Sequence, residues 1–384
     1  MGSWCSRGKS NTVNTEAFDP STSPVENSSL ICRDKRRRRL SMSQSTDVGL
    51  EVAASSEVDE TRQRGRIVTG SGSPRRLSIT SQAVEDQPTQ QKGFEDKTCK
   101  QQGATVPRTM GYVCKKGLKP DMPNQDDFAI LVTDDYEMYA VFDGHGPYGH
   151  VVSKLCHKIL PEFIRDDPNF QEDLPKAFKT AFIRAHVMCE RASDSQDQFD
   201  CAFSGSTATI VLLRNASLNC AWVGDSRAVL ATLKTDGRLV AVDLSRDHKP
   251  ELPDEKARIE SQGGRVLKLG NDIPYRVFVK NAHYPGLAMA RSIGDSVGVT
   301  AGISHIPEVS QRNINDSADK FIIIASDGVW EFISSQEAVN IINKYKPSEA
   351  QTAAEVLAQE AWMRWIREEH GKVVDDITII INWL

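Results

Sequence analysis

Long apolar runs are missing from this chain of 384 residues, and no stretch of it could cross a bilayer as a helix. Any membrane association must therefore come from a lipid or from surface charge. Paired cysteines are missing too. The eight, at 5, 32, 99, 114, 156, 189, 201 and 220, make no C-x-x-C and no metal-finger spacing, and no apolar signal segment precedes them. A reducing, cytoplasmic compartment fits. Positive charge is not in excess either: the formal net charge is -5, so composition gives no reason to expect nucleic acid. No internal repeat is visible.

What is present divides unequally. From residue 1 to 104 the chain is rich in Ser, Thr, Gln, Asn and Arg, with scattered apolar residues and no sustained period. Such a segment buries too little apolar surface to offset its conformational entropy, so a largely disordered tail is expected. Residues 105–384 read as one domain in which strands, turns and helices follow quickly. The stretches 206–213, 218–223, 228–233 and 239–244 read as four strands of an antiparallel meander, two of them apolar at nearly every position, as in a sheet covered on both faces. Helical periodicity over 150–164, 174–192 and 353–368 supplies the cover, and strands at 321–325 and 377–383 complete an α+β domain.

Acids recur at the ends of these strands. Phe142-Asp143-Gly144-His145-Gly146 closes one apolar run and Ser326-Asp327-Gly328 closes another. Asp126 precedes a strand, Asp225 sits in Gly224-Asp225-Ser226, and Asp375-Asp376 opens the last strand. Asp-Gly alone is a common hairpin turn, and Asp236-Gly237 reads as only that. Asp143 and Asp327 differ because no Lys or Arg stands beside either one, and a carboxylate at a buried strand end needs compensation. A cluster of Asp side chains and backbone carbonyls offers hard oxygen ligands, which suit Mg²⁺ or Mn²⁺ rather than zinc. Two such ions about 3.5 to 4 Å apart would activate a water and clamp a transferring phosphoryl group.

The ordered series NQDDF, VFDGHG, SGSTA, WVGDSRAVL, SRDHKP, ARIESQGGRV, LAMARSIGD, IIASDGVWEF and DDITIII resembles the motif series of the metal-dependent type 2C serine/threonine protein phosphatases. It covers residues 108–384. The resemblance implies a sandwich of two antiparallel β-sheets flanked by α-helices, acting on phosphoproteins as a monomer with two Mg²⁺ or Mn²⁺ ions and a weaker third. Position by position it implies that Asp143 bridges both ions, Gly144 gives a carbonyl, Asp327 and Asp375 hold one ion, and Asp126 acts through bound water. Asp225 falls at the ligand of the third ion, with Glu331 at a further acid. His145 would be the general acid, a task suited to an imidazole titrating near neutrality; the alternative is a ring that only hydrogen-bonds to and orients the metal-holding residues. Thr207, Asp247, His248, Arg291 and Asp295 lie in motifs too, the last four able to shape the flap beside the site.

Two positions depart from the better-known pattern: Gln125 where Glu is common, and Asp121 where an Arg often meets substrate phosphate. Lys116 or Lys119 is expected to take that role as a point charge. A rival reading, a catalytically weak or inactive membrane-tethered scaffold of the same fold, would be favoured by loss of Asp143, Asp327 or Asp375, and all three are present. Cys32 and Arg38 match the spacing of a Cys-based phosphatase, but the loop between them has no glycine.

The tail carries an address. Met1-Gly2-Ser-Trp-Cys5-Ser6 matches N-myristoylation at Gly2 with Cys5 placed for palmitoylation. The basic cluster 35–39 would add attraction to anionic lipid of about 1 kcal/mol per charge. Peripheral attachment to the plasma membrane is expected, the alternative being a cytosolic or nuclear protein. Arg-Arg-Leu-Ser occurs twice, ending at Ser41 and Ser78, in the form that basophilic kinases prefer. Phosphate beside those arginines would weaken the lipid attraction. Combined Ser41→Asp and Ser43→Asp substitution is expected to lower vesicle partitioning of the acylated protein; unchanged partitioning would remove the charge switch.

Overall fold

Apolar side chains alternate to both sides of each central strand, and this dictates the layering. A computed structural model describes residues 77–82, 98–102, 109–195, 199–270 and 274–384. The expectations for Gly2, Cys5 and Ser41 lie outside these residues. In the strand Glu137–His145, Tyr139 and Val141 point into one core while Met138, Ala140 and Phe142 point into another. In Asp319–Ala325, Ile322 and Ile324 join Tyr139 and Val141, whereas Phe321, Ile323 and Ala325 face a third core. Two antiparallel sheets thus share a central core, and helices cover both outer faces. Each fully buried central Ile contributes about 1.5–3 kcal/mol relative to exposure.

Helices Gly149–Arg165 and Leu174–Ser195 cover one outer face, and Ser335–Ile342 and Ala350–Glu368 the other. The expected α+β sandwich is the architecture observed. The larger sheet runs in the order Glu308–Asn313, Ser217–Val223, Ala208–Arg214, Glu137–His145, Asp126–Val132, Leu77–Gln82, Thr98–Gln102. The short strands Gly205–Ser206 and Ile293–Gly294 attach to the Gly144–His145 end of it. The second sheet runs Leu239–Asp243, Arg227–Leu233, Asp319–Ala325, Ile377–Trp383, Met110–Lys115. A small third sheet, Arg265–Lys268, Tyr275–Phe278 and Pro285–Leu287, forms a flap with its own apolar cluster around Ile259, Val266 and Val277.

Two expectations are corrected. The four-stranded meander does not form: Ser217–Val223 pairs with Ala208–Arg214 and Glu308–Asn313, but Arg227–Leu233 belongs to the opposite sheet. Both strands are apolar on both faces, so local pattern does not say which neighbour each takes; Gly224-Asp225-Ser226 therefore crosses between sheets instead of closing a hairpin. The unstructured tail to residue 104 also gives way at its end. Leu77–Gln82 pairs antiparallel with Asp126–Val132 and with Thr98–Gln102, putting Ser78 on a strand between Leu131 and Gln102. The alternation there spans only Leu77 and Ile79, too short to register as a period.

Candidate metal centre and active site

Register brings the first acids together. Antiparallel pairing of Asp126–Val132 with Glu137–His145 sets Asp126 directly across from Asp143. The crossing between sheets delivers Asp225, and the turn after Asp319–Ala325 delivers Asp327. Carboxylate oxygens of Asp143, Asp225 and Asp327 lie within 4.8 Å of one another, and all three residues are buried. Three like charges this close in a buried place repel strongly. A donor set made of convergent carboxylates suits hard divalent cations better than softer ones.

Backbone contacts hold the cluster in place. The Asp143 N–H donates to Thr207 Oγ1 at 2.9 Å and its carbonyl accepts from the Thr207 N–H at 2.8 Å. Thr207 Oγ1 lies 2.7 Å from Ser226 Oγ, which couples Asp143 to the crossing turn. Gly224 turns there with φ +97, and a Cβ on it would meet Thr207 Cγ2 at 2.5 Å. A Cβ on Gly144 would stand 2.3 Å from the Gly149 carbonyl, so the chain reaches this packing only without a side chain. Thr207 is thus a tie between metal-site segments as well as packing.

Asp376 fastens the N-terminal loop: it accepts from the Gly117 N–H at 2.7 Å and the Gln125 N–H at 2.9 Å. Gln125 in turn donates from its side chain to the Gly146 carbonyl at 2.7 Å, so this departure from the common Glu serves to hold the His145 turn. Asp126 accepts from Ser326 Oγ at 2.7 Å. Burial, and then the neighbouring Asp376 charge, push its carboxyl up to about 7. Lys119 pairs with Asp375, and Lys249 Nζ lies 2.6 Å from Asp225 Oδ2. Burial works against the Lys119 charge, yet Asp375 and Asp376 outweigh it and hold the ammonium above the ordinary lysine range. Lys116 instead donates to the Lys119 carbonyl at 2.8 Å, within its own loop. Of the two lysines considered for substrate phosphate, only Lys119 reaches the acidic cluster; Asp121 is exposed.

His145 faces Asp295, with Nε2 and Oδ2 2.6 Å apart. Ser292 Oγ donates to the same carboxylate oxygen at 2.5 Å. Asp295 itself adopts a left-handed conformation, φ 50, at the head of a short helix. Burial lowers the imidazole pKa, but the Asp295 carboxylate, with Asp143 and Asp225 behind it, outweighs burial and leaves it raised. The Glu331 N–H donates to the Asp327 carbonyl at 2.9 Å, one turn beyond the cluster.

The remaining motif residues build supports. Asp247 takes two hydrogen bonds from Arg227, both 2.8 Å. His248 Nδ1 accepts from the Gly224 N–H at 3.0 Å and its ring stacks on Trp222. Arg291 donates to Glu255 at 2.9 Å and to Glu308 at 3.0 Å. His248, Glu255 and Glu308 are close enough to hold an ion, but Arg258 and Arg291 already neutralise the buried Glu255, so this group reads as an ion-pair network. Sequence reading missed the partners Asp376, Lys249 and Ser326; the Asp375-Asp376 doublet was the one local signal for the first.

Comparison with known proteins agrees with this layout. The family described as Protein phosphatase 2C matches residues 121–367, well over half of the chain. "Probable protein phosphatase 2C 72" of Arabidopsis thaliana is 36% identical over 287 residues, covering 72% of this chain and 85% of that one. "Probable protein phosphatase 2C 64" of Oryza sativa subsp. japonica is 38% identical over 272 residues, covering 68% and 62%. A serine-threonine phosphatase 2C from Toxoplasma gondii superposes with a TM-score of 0.62 at 20% identity, covering 79% of this chain and 98% of that one, and so shares the fold. Sandwich and acidic cluster define a protein phosphatase catalytic domain. The chain belongs to the protein phosphatase 2C family, a metal-dependent family that acts on phosphoproteins.

Proposed function

We propose that this chain hydrolyses phosphoserine and phosphothreonine in proteins, using Mg²⁺ or Mn²⁺ and no phosphoenzyme intermediate. The observation that carries the reading is the convergence of buried Asp143, Asp225 and Asp327 within 4.8 Å. Asp143, Gly144, Asp327 and Asp375 would hold two ions, with Asp126 behind them and Asp225 toward a third. Bound there, divalent ions supply an activated water and charge stabilisation for the transferring phosphoryl group.

The chain's own residues do the rest. Lys119, drawn to Asp375, places an ammonium at the cluster where substrate phosphate would lie. His145, oriented by Asp295, is placed to protonate the departing seryl or threonyl oxygen. Cys114, Cys156, Cys189, Cys201 and Cys220 are all buried, which argues against any of them as a thiol nucleophile.

The test uses the full chain. After stripping with chelator, added Mn²⁺ is expected to raise Tm, since a ligand at 100 times its Kd stabilises the folded state by about 2.7 kcal/mol. The same addition should start phosphate release from a phosphothreonine peptide, and Asp327→Asn should abolish both effects. Release that persists in chelator would overturn the proposal.

A further inference from the structure

Among the described residues, the large exposed aromatics are Tyr148, Phe203, Tyr275 and Tyr284. None lies on the covering helices; Phe203 belongs to the loop before Gly205, and Tyr284 and Tyr275 belong to the flap. Phe203 is 45% exposed and Tyr284 49%. Their rings meet edge to face, with centroids 6.0 Å apart and planes at 77°. This pair joins the catalytic sandwich to the flap.

The pair is continuous with the site. A Cβ on Gly146, the residue after His145, would stand 2.1 Å from the Phe203 carbonyl. Two residues beyond Phe203, a Cβ on Gly205 would stand 2.1 Å from Asp295 Oδ2 and 2.8 Å from His145 Nε2. Ser204 between them accepts from the Tyr148 N–H at 3.0 Å, and its carbonyl accepts from the Asp295 N–H at 2.9 Å. Phe203 is therefore held through its neighbour Ser204, and by the close approach of its carbonyl to Gly146, beside the segments that set the imidazole. Its side chain has no part in those bonds. Tyr284 is held independently, through its carbonyl and the Val279 N–H at 2.9 Å.

We propose that Phe203 and Tyr284 form a subsite for an apolar side chain flanking the phosphorylated residue of the substrate; this rests on the phosphatase reading. Two rings set nearly at right angles leave a corner of apolar surface that no hydrogen bond requires. Paired exposed aromatic rings beside a polar centre offer the rigid apolar contact area that recognition uses. Phe203 is two residues from Gly205, where a Cβ would stand 2.8 Å from His145 Nε2, so residues flanking a phosphate held at the acidic cluster would come within reach of this corner. An aliphatic or aromatic side chain there loses contact with water and gains edge and face contacts with both rings.

The experiment compares phosphothreonine peptides of one length that differ only at one flanking residue, Leu, Phe, Asp or Arg in turn on each side of the phosphothreonine, with the Mn²⁺-loaded full chain. On one side, kcat/KM for Leu and Phe is expected to exceed that for Asp and Arg by roughly tenfold. In Phe203→Ala and, separately, Tyr284→Ala that ratio falls to about threefold or less. The readout is a ratio within each protein, so a general loss of activity does not imitate it. Equal rates across the series, preference for Arg through its guanidinium on the rings, or an unchanged ratio in both variants would overturn the subsite. Failure of the wild type on every peptide would instead overturn the phosphatase reading.

Discussion

Asp143→Ala leaves a folded chain with phosphate release lowered about a thousandfold or more, on the scale expected when a site loses its central charge-positioning group. Asp143 lies among the oxygens of Asp225 and Asp327 and across the ladder from Asp126. The contacts that hold its strand are backbone contacts, from its N–H and carbonyl to Thr207, and alanine keeps both. In chelator the variant is expected to melt at or above the wild-type Tm, because one of several crowded buried carboxylates is gone and repulsion falls. Added Mn²⁺ should then raise the wild-type Tm more than that of the variant. Initial rates and melts, each with and without metal, check the pair of outcomes. An Asp143→Ala chain that keeps a tenth of its activity would remove Asp143 from the centre.

How much of this was legible in the sequence depends on the distance over which each feature is decided. Asp143 and Asp327 could be read because each ends an apolar strand without an adjacent cation, and that is a local conflict. The strand Ile377–Trp383 was legible to the residue for the same reason: a continuous β-branched run has one reading. Asp225 was found as an acid but misplaced as a hairpin turn. Its role as a crossing is set by the pairing of Ser217–Val223 with Glu308–Asn313, far along the chain. The ion pair of Lys119 with Asp375 joins residues 256 apart, and that of His145 with Asp295 joins residues 150 apart. No periodicity encodes such pairs. Motif resemblance put Asp295 near the flap, yet only the folded chain gives it an imidazole to orient.

That imidazole yields the second large effect. His145→Asn is expected to lower kcat on a phosphothreonine peptide by about 10²–10⁴, the usual worth of a positioned general acid. The loss on an aryl phosphate should stay within about tenfold, because an aryl oxide departs without needing a proton. The geometry explains the direction. Nε2 is committed to Asp295 at 2.6 Å, while Nδ1 is buried and makes no hydrogen bond among the described residues. The Asp295 carboxylate fixes the orientation of the ring and stabilises the protonated form that must give the proton away. Asp295→Asn should therefore follow the same pattern with a smaller loss on the peptide, since the ring keeps its proton donor but loses its orienting charge. Comparing kcat for the two substrates in each variant separates this role from simple support of the fold. Equal losses on peptide and aryl phosphate would make His145 a structural hydrogen bonder of the metal-site turn, as its place between Gly144 and Gly146 also permits.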